Sequence, residues 1–152
     1  MIMKQNLSEL FDLPEKMYCD SEPWAVGRTF THGMGERWDY DESLYKELEN
    51  EYDTEHVGFN SGCMLYDTSI LDNNTKDELF IIKEKYQKIN QHTRPGGTDQ
   101  PILNIKFLNI WNPFPNNEVS YWQSNPTTCG PNENTKIYHF CLIKFFTIII
   151  YF

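Results

Sequence analysis

The sequence predicts an α/β domain, and three stretches between Gly58 and Asn104 carry that prediction. Cys63-Met64-Leu65-Tyr66 is a short apolar run, the pattern of a buried strand. Leu79, Ile82, Tyr86 and Ile89 recur at three- and four-residue steps, which gives a helix one apolar face. After the turn-forming Pro95-Gly96-Gly97-Thr98, a second helix opens on Asp99 and Gln100. Pro101 is tolerated in its first turn, where the missing N–H would have no partner anyway, and Ile102, Leu103 and Phe107 supply an inward side.

A chain of 152 residues suffices for one domain with a core, and 39% hydrophobic residues with 15% aromatics argue against disorder throughout. The net charge of −9 argues against a nucleic-acid groove, which needs a basic face. Between Glu36 and Glu55, nine carboxylates face only Arg37 and Lys46, and such a run reads first as a solvated face. The four cysteines, Cys19, Cys63, Cys129 and Cys141, form no C-x-x-C pair and no zinc spacing. With no signal peptide at the start, they read as reduced thiols, and a cytoplasmic setting is favoured. No segment approaches the roughly 20 apolar residues of a membrane span.

Taken in order, Asn6 to Phe11 predicts a short helix with Leu7, Leu10 and Phe11 on one face, Asn6 as N-cap and Glu9 three residues on. Nothing before it supplies a strand to pack on. Met17 to Gly35 is mixed, with a short strand around Trp24 to Val26 and a loop from Phe30 to Gly35 in which His32 reads as a surface residue. Ser43 to Tyr52 has helical potential but few apolar positions. Asn60, Ser61 and Gly62 precede the apolar strand, a polar and small doorway that lets a ligand approach the backbone, or simply a turn.

Asn74 is positioned to cap the following helix, with Asp77 and Glu78 at its positive end, and the helix stops by Asn90. Thr98 or Asp99 serves as a helix cap on one reading. On the other, Asp99 and Gln100 form a rigid pair that a ligand meets at a helix start. Residues 111–131 read as a proline-rich loop anchored by Trp111, Phe114, Tyr121 and Trp122. Ile137 to Ile143 reads as a strand carrying His139, and residues 142–152 form an atypical, apolar, aggregation-prone tail. His32, His56, His92 and His139 match no metal-ligand spacing on their own.

Four matches in sequence order resemble family 8 of the retaining glycosyltransferases. Phe59-Asn60-Ser61-Gly62 is similar to the family's Phe-Asn-(Ala/Ser)-Gly strand opening. Asp99-Gln100 with Leu103-Asn104 resembles its Asp-Gln and Leu-Asn pair, and His139-Phe140 its closing His-Phe segment. Asn6 to Asp12 looks like the helix that follows the family's Asp-x-Asp motif. The matches cover most of residues 4–141, and the resemblance implies a partial catalytic domain over residues 1–141 with 142–152 as a tail.

The resemblance implies a GT-A fold, a Rossmann-like sheet binding a nucleotide sugar, here a partial one without its N-terminal strands. It implies transfer of a hexose from a UDP-sugar donor to a glycan or protein acceptor with retention, assisted by Mn²⁺. By carry-over, Asp99 binds sugar hydroxyls, Gln100 lies near the anomeric carbon, Asn60 with the Ser61-Gly62 backbone lines the sugar pocket, and His139 is a metal ligand. The Asp-x-Asp motif that supplies the other protein ligands is missing from its expected place; Asp39-Tyr40-Asp41 has the spelling but lies downstream of the matching helix. After His139-Phe140, Leu142 stands where the family has glycine, Lys144 comes one position early and Phe145 follows in place of proline. The alternative expectation is a catalytically inactive remnant, a sugar-binding or partner-binding module that pairs with a homologous chain through an open sheet edge.

Overall fold

The computed structural model describes residues 2–3, 7–33, 36–37, 39–90, 99–115, 119–122 and 136–140. In chain order the strands are β1 (Ile2–Met3), β2 (Met17–Ala25), β3 (His32–Gly33), β4 (Glu36–Arg37), β5 (Val57–Tyr66), β6 (Asn112–Pro113), β7 (Val119–Trp122) and β8 (Ile137–Phe140). The α-helices are α1 (Val26–Thr31), α2 (Glu42–Glu51), α3 (Thr75–Ile89) and α4 (Asp99–Lys106), and short 3-10 turns cover Ser8–Asp12 and Thr68–Ile70. This is mixed α/β content, as the sequence predicts. The chain divides into two compact units, one of Glu15–Pro113 and one of Met1–Pro14 with Phe114–Phe152.

In the Glu15–Pro113 unit the sheet order is β5-β2-β6, with β5 antiparallel and β6 parallel to β2. The expected short strand at Trp24 to Val26 is instead a long one that begins at Met17, and Val26 opens α1. Local propensity misses it because Asp20, Glu22 and Pro23 interrupt any apolar pattern; pairing with β5 decides the conformation. Pro23 falls inside a break in register between Ser21 and Ala25, where a missing N–H costs no ladder bond. The Phe30 to Gly35 loop is likewise corrected: Phe30 and Thr31 are helical, and His32 opens β3.

Two apolar clusters hold this unit together. Val26, Phe30, Leu48, Ile82, Tyr86, Ile89, Ile102, Ile105 and Leu108 gather the buried faces of the four helices. Phe30 meets Tyr86 edge-on at 5.4 Å between ring centres. Met17, Cys19, Phe59 and Phe107 form the second cluster, between the sheet and the end of α4. The periodic residues Ile82, Tyr86 and Ile89 of α3 are all buried, as their spacing requires.

Helix ends show how the acidic residues are used. Asp41 caps α2 by accepting from the backbone N–H groups of Ser43 and Leu44, which holds its carboxyl below the usual range. One carboxylate of the Asp39-Tyr40-Asp41 sequence is thus a helix cap. The other acids of α2, Glu42, Glu47, Glu49 and Glu51, are exposed. At α3 the expected Asn74 makes no side-chain capping bond; Thr75 Oγ1 instead accepts from Asp72 N–H and donates to Asp72 Oδ1.

In the other unit, β1 lies antiparallel to β8 and β7 parallel to it, in the order β1-β8-β7. Ile2–Met3 is therefore a strand ahead of the first helical turn, where the sequence suggested none. Val119–Trp122 is a strand inside the stretch read as loop. The Ser8–Asp12 turn is 3-10, so Leu10 is buried while Phe11 is 73% exposed. In a three-fold turn Phe11 rotates away from the Leu7–Leu10 side, which an α-helical reading would not give. Lys136 reaches Glu9 at 2.7 Å. Asn6, Cys129 and the 142–152 tail lie outside the described residues.

Replacing Ile89 with alanine removes a side chain that is 2% exposed, and is expected to cost about 2–5 kcal/mol in urea denaturation. The same change at Phe80, 49% exposed, is expected to stay within about 0.5 kcal/mol.

Candidate functional site

The site is built on an irregularity in β5. Cys19 pairs with Met64 but the next residue of β2, Asp20, pairs with Asn60, so Ser61, Gly62 and Cys63 bulge out of the ladder. Bulges bend a strand and re-aim its side chains, and they are over-represented beside active sites. Asn60, Ser61 and Gly62 are thus inside the strand and at its bulge; the sequence placed them ahead of it. Burial follows the same correction. Gly58, Phe59, Asn60 and Cys63 are buried, whereas Met64 and Leu65 are half-buried and Tyr66 is exposed.

The first turn of α4 is held against this bulge by Asn104. Its Oδ1 accepts from Phe59 N–H at 2.7 Å, and its Nδ2 donates to Phe59 C=O at 2.8 Å and Gln100 C=O at 2.9 Å. The side chain has no exposed surface. A Cβ at Gly58 would come within 2.9 Å of Asn104 Oδ1, so the clasp needs glycine there. Asp99 and Gln100 arrive at Ser61 in consequence. Ser61 Oγ donates to Asp99 Oδ2 at 2.9 Å, and Ser61 N–H reaches Gln100 Oε1 at 3.4 Å.

Beneath these residues sits Glu22, which sequence reasoning did not single out. It is 5% exposed, and its Oε1 accepts from Asn60 Nδ2 at 2.8 Å and Gln100 Nε2 at 3.1 Å. Each amide is thereby turned so that its oxygen meets the bulge: Asn60 Oδ1 accepts from Gly62 N–H at 2.9 Å, as Gln100 Oε1 does from Ser61 N–H. The only available signal was an acid two residues from another acid, a spacing shared by many solvated strands.

Asp20 stands beside Glu22. Burial first, and the charge of Glu22 second, push its carboxyl up to about 7, and its Oδ2 is buried with no hydrogen-bond partner among the described residues. Burial and then Asp20 raise the Cys63 thiol to about 11; burial lifts Cys19 higher still. Burial thus disfavours the thiolate form at both of these free cysteines.

The structure therefore brings Asn60, Ser61, Gly62, Asp99 and Gln100 together, with Glu22 and Asn104 below them. It does not bring in His139 as a side chain; only its backbone is described, paired with Tyr121 in the other unit. His32 contacts Thr31 Oγ1 and His56 contacts its neighbour's carbonyl, while His92 lies outside the described residues. Among the described residues no three His, Cys, Asp or Glu side chains are placed to share a metal ion, and no helix is long and apolar enough to cross a membrane. Compared with family models, curated proteins and solved structures, the chain gives no significant match. The site presents an exposed carboxylate, a hydroxyl and two oriented amides at a strand bulge, all groups able to exchange hydrogen bonds with a polar ligand.

Glu22→Ala leaves the buried Asn60 amide and the half-buried Gln100 amide without their acceptor and is expected to lower stability by about 2 kcal/mol. Glu22→Gln keeps one acceptor oxygen and should lose less, as chemical denaturation would show. Asp20 gives a pH signature. Its folded pKa lies above the usual 3.8, so the fold favours the protonated form. Stability should fall as pH rises from 3.8 to about 7 and level off above. The capping carboxylates Asp41, Asp67 and Asp72 are shifted the opposite way and act only below that window. Asp20→Asn should flatten the slope in thermal unfolding followed across that range.

Proposed function

We propose that this chain handles a hexose at the β5 bulge, as the sugar-and-acceptor part of a retaining glycosyltransferase of the family 8 type with GT-A architecture. One observation carries the reading. Residues that the family resemblance assigns to the sugar, Asn60 with Ser61-Gly62 and Asp99-Gln100, meet in one polar patch although Ser61 and Gln100 are 39 positions apart.

In the reaction, the bond from the anomeric carbon to the diphosphate breaks and its electron pair leaves with the diphosphate oxygen. A bond to the acceptor hydroxyl forms on the same face, and the hydroxyl proton passes to the departing diphosphate. The exposed Asp99 carboxylate accepts hydrogen bonds from sugar hydroxyls, exchanging its Ser61 contact for the ligand's. Gln100 Oε1, held to Ser61 N–H only at 3.4 Å, offers partial negative charge to an anomeric carbon that becomes cationic. Asn60 stays fixed between Glu22 and Gly62 and shapes the floor. Mn²⁺ would neutralise the diphosphate. It enters this reading through the resemblance, with His139 as its one matching ligand, and no step above is assigned to it.

Ligand-observed NMR on the full chain, with free hexoses and UDP-hexoses in the presence and absence of Mn²⁺, tests the proposal. Binding is expected, weakened about tenfold or more in Asp99→Ala by loss of charge-assisted hydrogen bonds. Metal-dependent release of hexose from the UDP-sugar, lost in the same variant, supports transfer. Metal-independent binding of free sugar supports a sugar-binding module instead. A folded chain that binds none of these sugars sinks both.

A further inference from the structure

The Glu15–Pro113 unit has a second feature, a cleft that shares only Asp99 with the sugar patch. An apolar cleft of about 650 Å³ runs between the outer side of α3, the face of α4, β5 and the Thr68–Ile70 turn. Met17, Met64, Leu79, Ile102, Leu103 and Phe107 are among its walls. That volume lies in the range of small-molecule sites, roughly 300–1,000 Å³.

Four charged residues line the cleft, Lys76, Lys83, Asp72 and Asp99, and they differ in how far each is already engaged. Lys76 and Lys83 line the cleft on either side of Phe80, their ammonium groups 5.9 and 5.6 Å from its ring centre. Among the described residues neither has a carboxylate within salt-bridge distance, whereas the nearby Lys85 and Lys106 are paired with Glu51 and Glu78. The two lining carboxylates are engaged elsewhere: Asp72 Oδ1 accepts from Thr75 Oγ1 and Asn74 N–H within its own turn, which holds its carboxyl below the usual range, and Asp99 Oδ2 accepts from Ser61 Oγ at 2.9 Å. In a chain with 22 acidic and 13 basic residues, two unneutralised cations at an apolar mouth are against the composition. They suit a ligand that brings an anion on an apolar chain.

We propose that this cleft binds a single-chain lipid with an anionic head group, its alkyl chain between α3 and α4 and its head group at Lys76 and Lys83. The binding stands on the cleft alone and does not rest on the sugar-transfer reading.

The test is isothermal titration of the full chain, without sugar or nucleotide, with dodecyl phosphate and dodecyltrimethylammonium, each below its micelle concentration. Saturable binding of the phosphate at one site is expected, at least tenfold tighter than the cation of equal chain length. The double change Lys76→Glu with Lys83→Glu should erase that preference, since charge-assisted bonds to phosphate account for it. Leu79→Trp should fill the cleft and abolish binding; Leu71→Trp, at a position 41% exposed, does the same from the rim with little risk to folding. Absence of saturable binding, equal affinity for both amphiphiles, or affinity unchanged in Leu71→Trp and in the double lysine variant would overturn the proposal.

Discussion

The Asn104 carboxamide is the constraint on which the polar patch depends. Phe59 stands on β5, an edge strand of its sheet among the described residues, and on such a strand alternate residues turn both N–H and C=O away from the neighbouring strand. Asn104 meets both and also Gln100 C=O, acting as a one-residue substitute for a strand. The helix carrying it cannot rotate or slide without stripping two buried backbone groups of their partners. That fixes the first turn of α4, and with it Asp99 and Gln100, over the bulge. A satisfied edge at Phe59 also removes that residue from any surface available for strand addition.

Rigidity and exchange are distributed by depth. Glu22, Asn60 and Asn104 are all nearly inaccessible; Glu22 holds Asn60 at 2.8 Å, and Asn104 holds the Phe59 backbone at 2.7 and 2.8 Å. Above them the links are looser or wetter: a 3.4 Å contact from Ser61 N–H to Gln100, and an exposed hydroxyl-to-carboxylate bond from Ser61 to Asp99. A buried polar network of this kind is costly unless every member is satisfied, and Glu22 is what satisfies two of the amides. The donors and acceptors a ligand can displace are those whose loss costs least.

How much of this was legible depends on the range of the interaction that sets each feature. The period of Leu79, Ile82, Tyr86 and Ile89, and the Pro-Gly-Gly loop before Asp99, are local, and α3 and α4 fall where they indicate. The strand Met17–Ala25 was largely hidden, because its acids and proline make sense only once β5 lies alongside. Glu22 was hidden for a stronger reason. Its partners stand 38 and 78 residues away, and nothing in its neighbours distinguishes a buried hub from a solvated acid. Asn74 misled in the opposite direction: it has the right residue type for a cap, but Asp72 and Thr75, close by, close the turn first.

The bulge at Ser61, Gly62 and Cys63 separates two registers in one strand. In an uninterrupted ladder, gaining or losing a residue moves every later side chain to the opposite face. Here the slack is already present, so a change in length between Asn60 and Met64 would be absorbed locally while Met17, Tyr18 and Cys19 kept their partners. The patch is in effect a loop housed within a strand. Its length can change at little risk to the sheet that supports it.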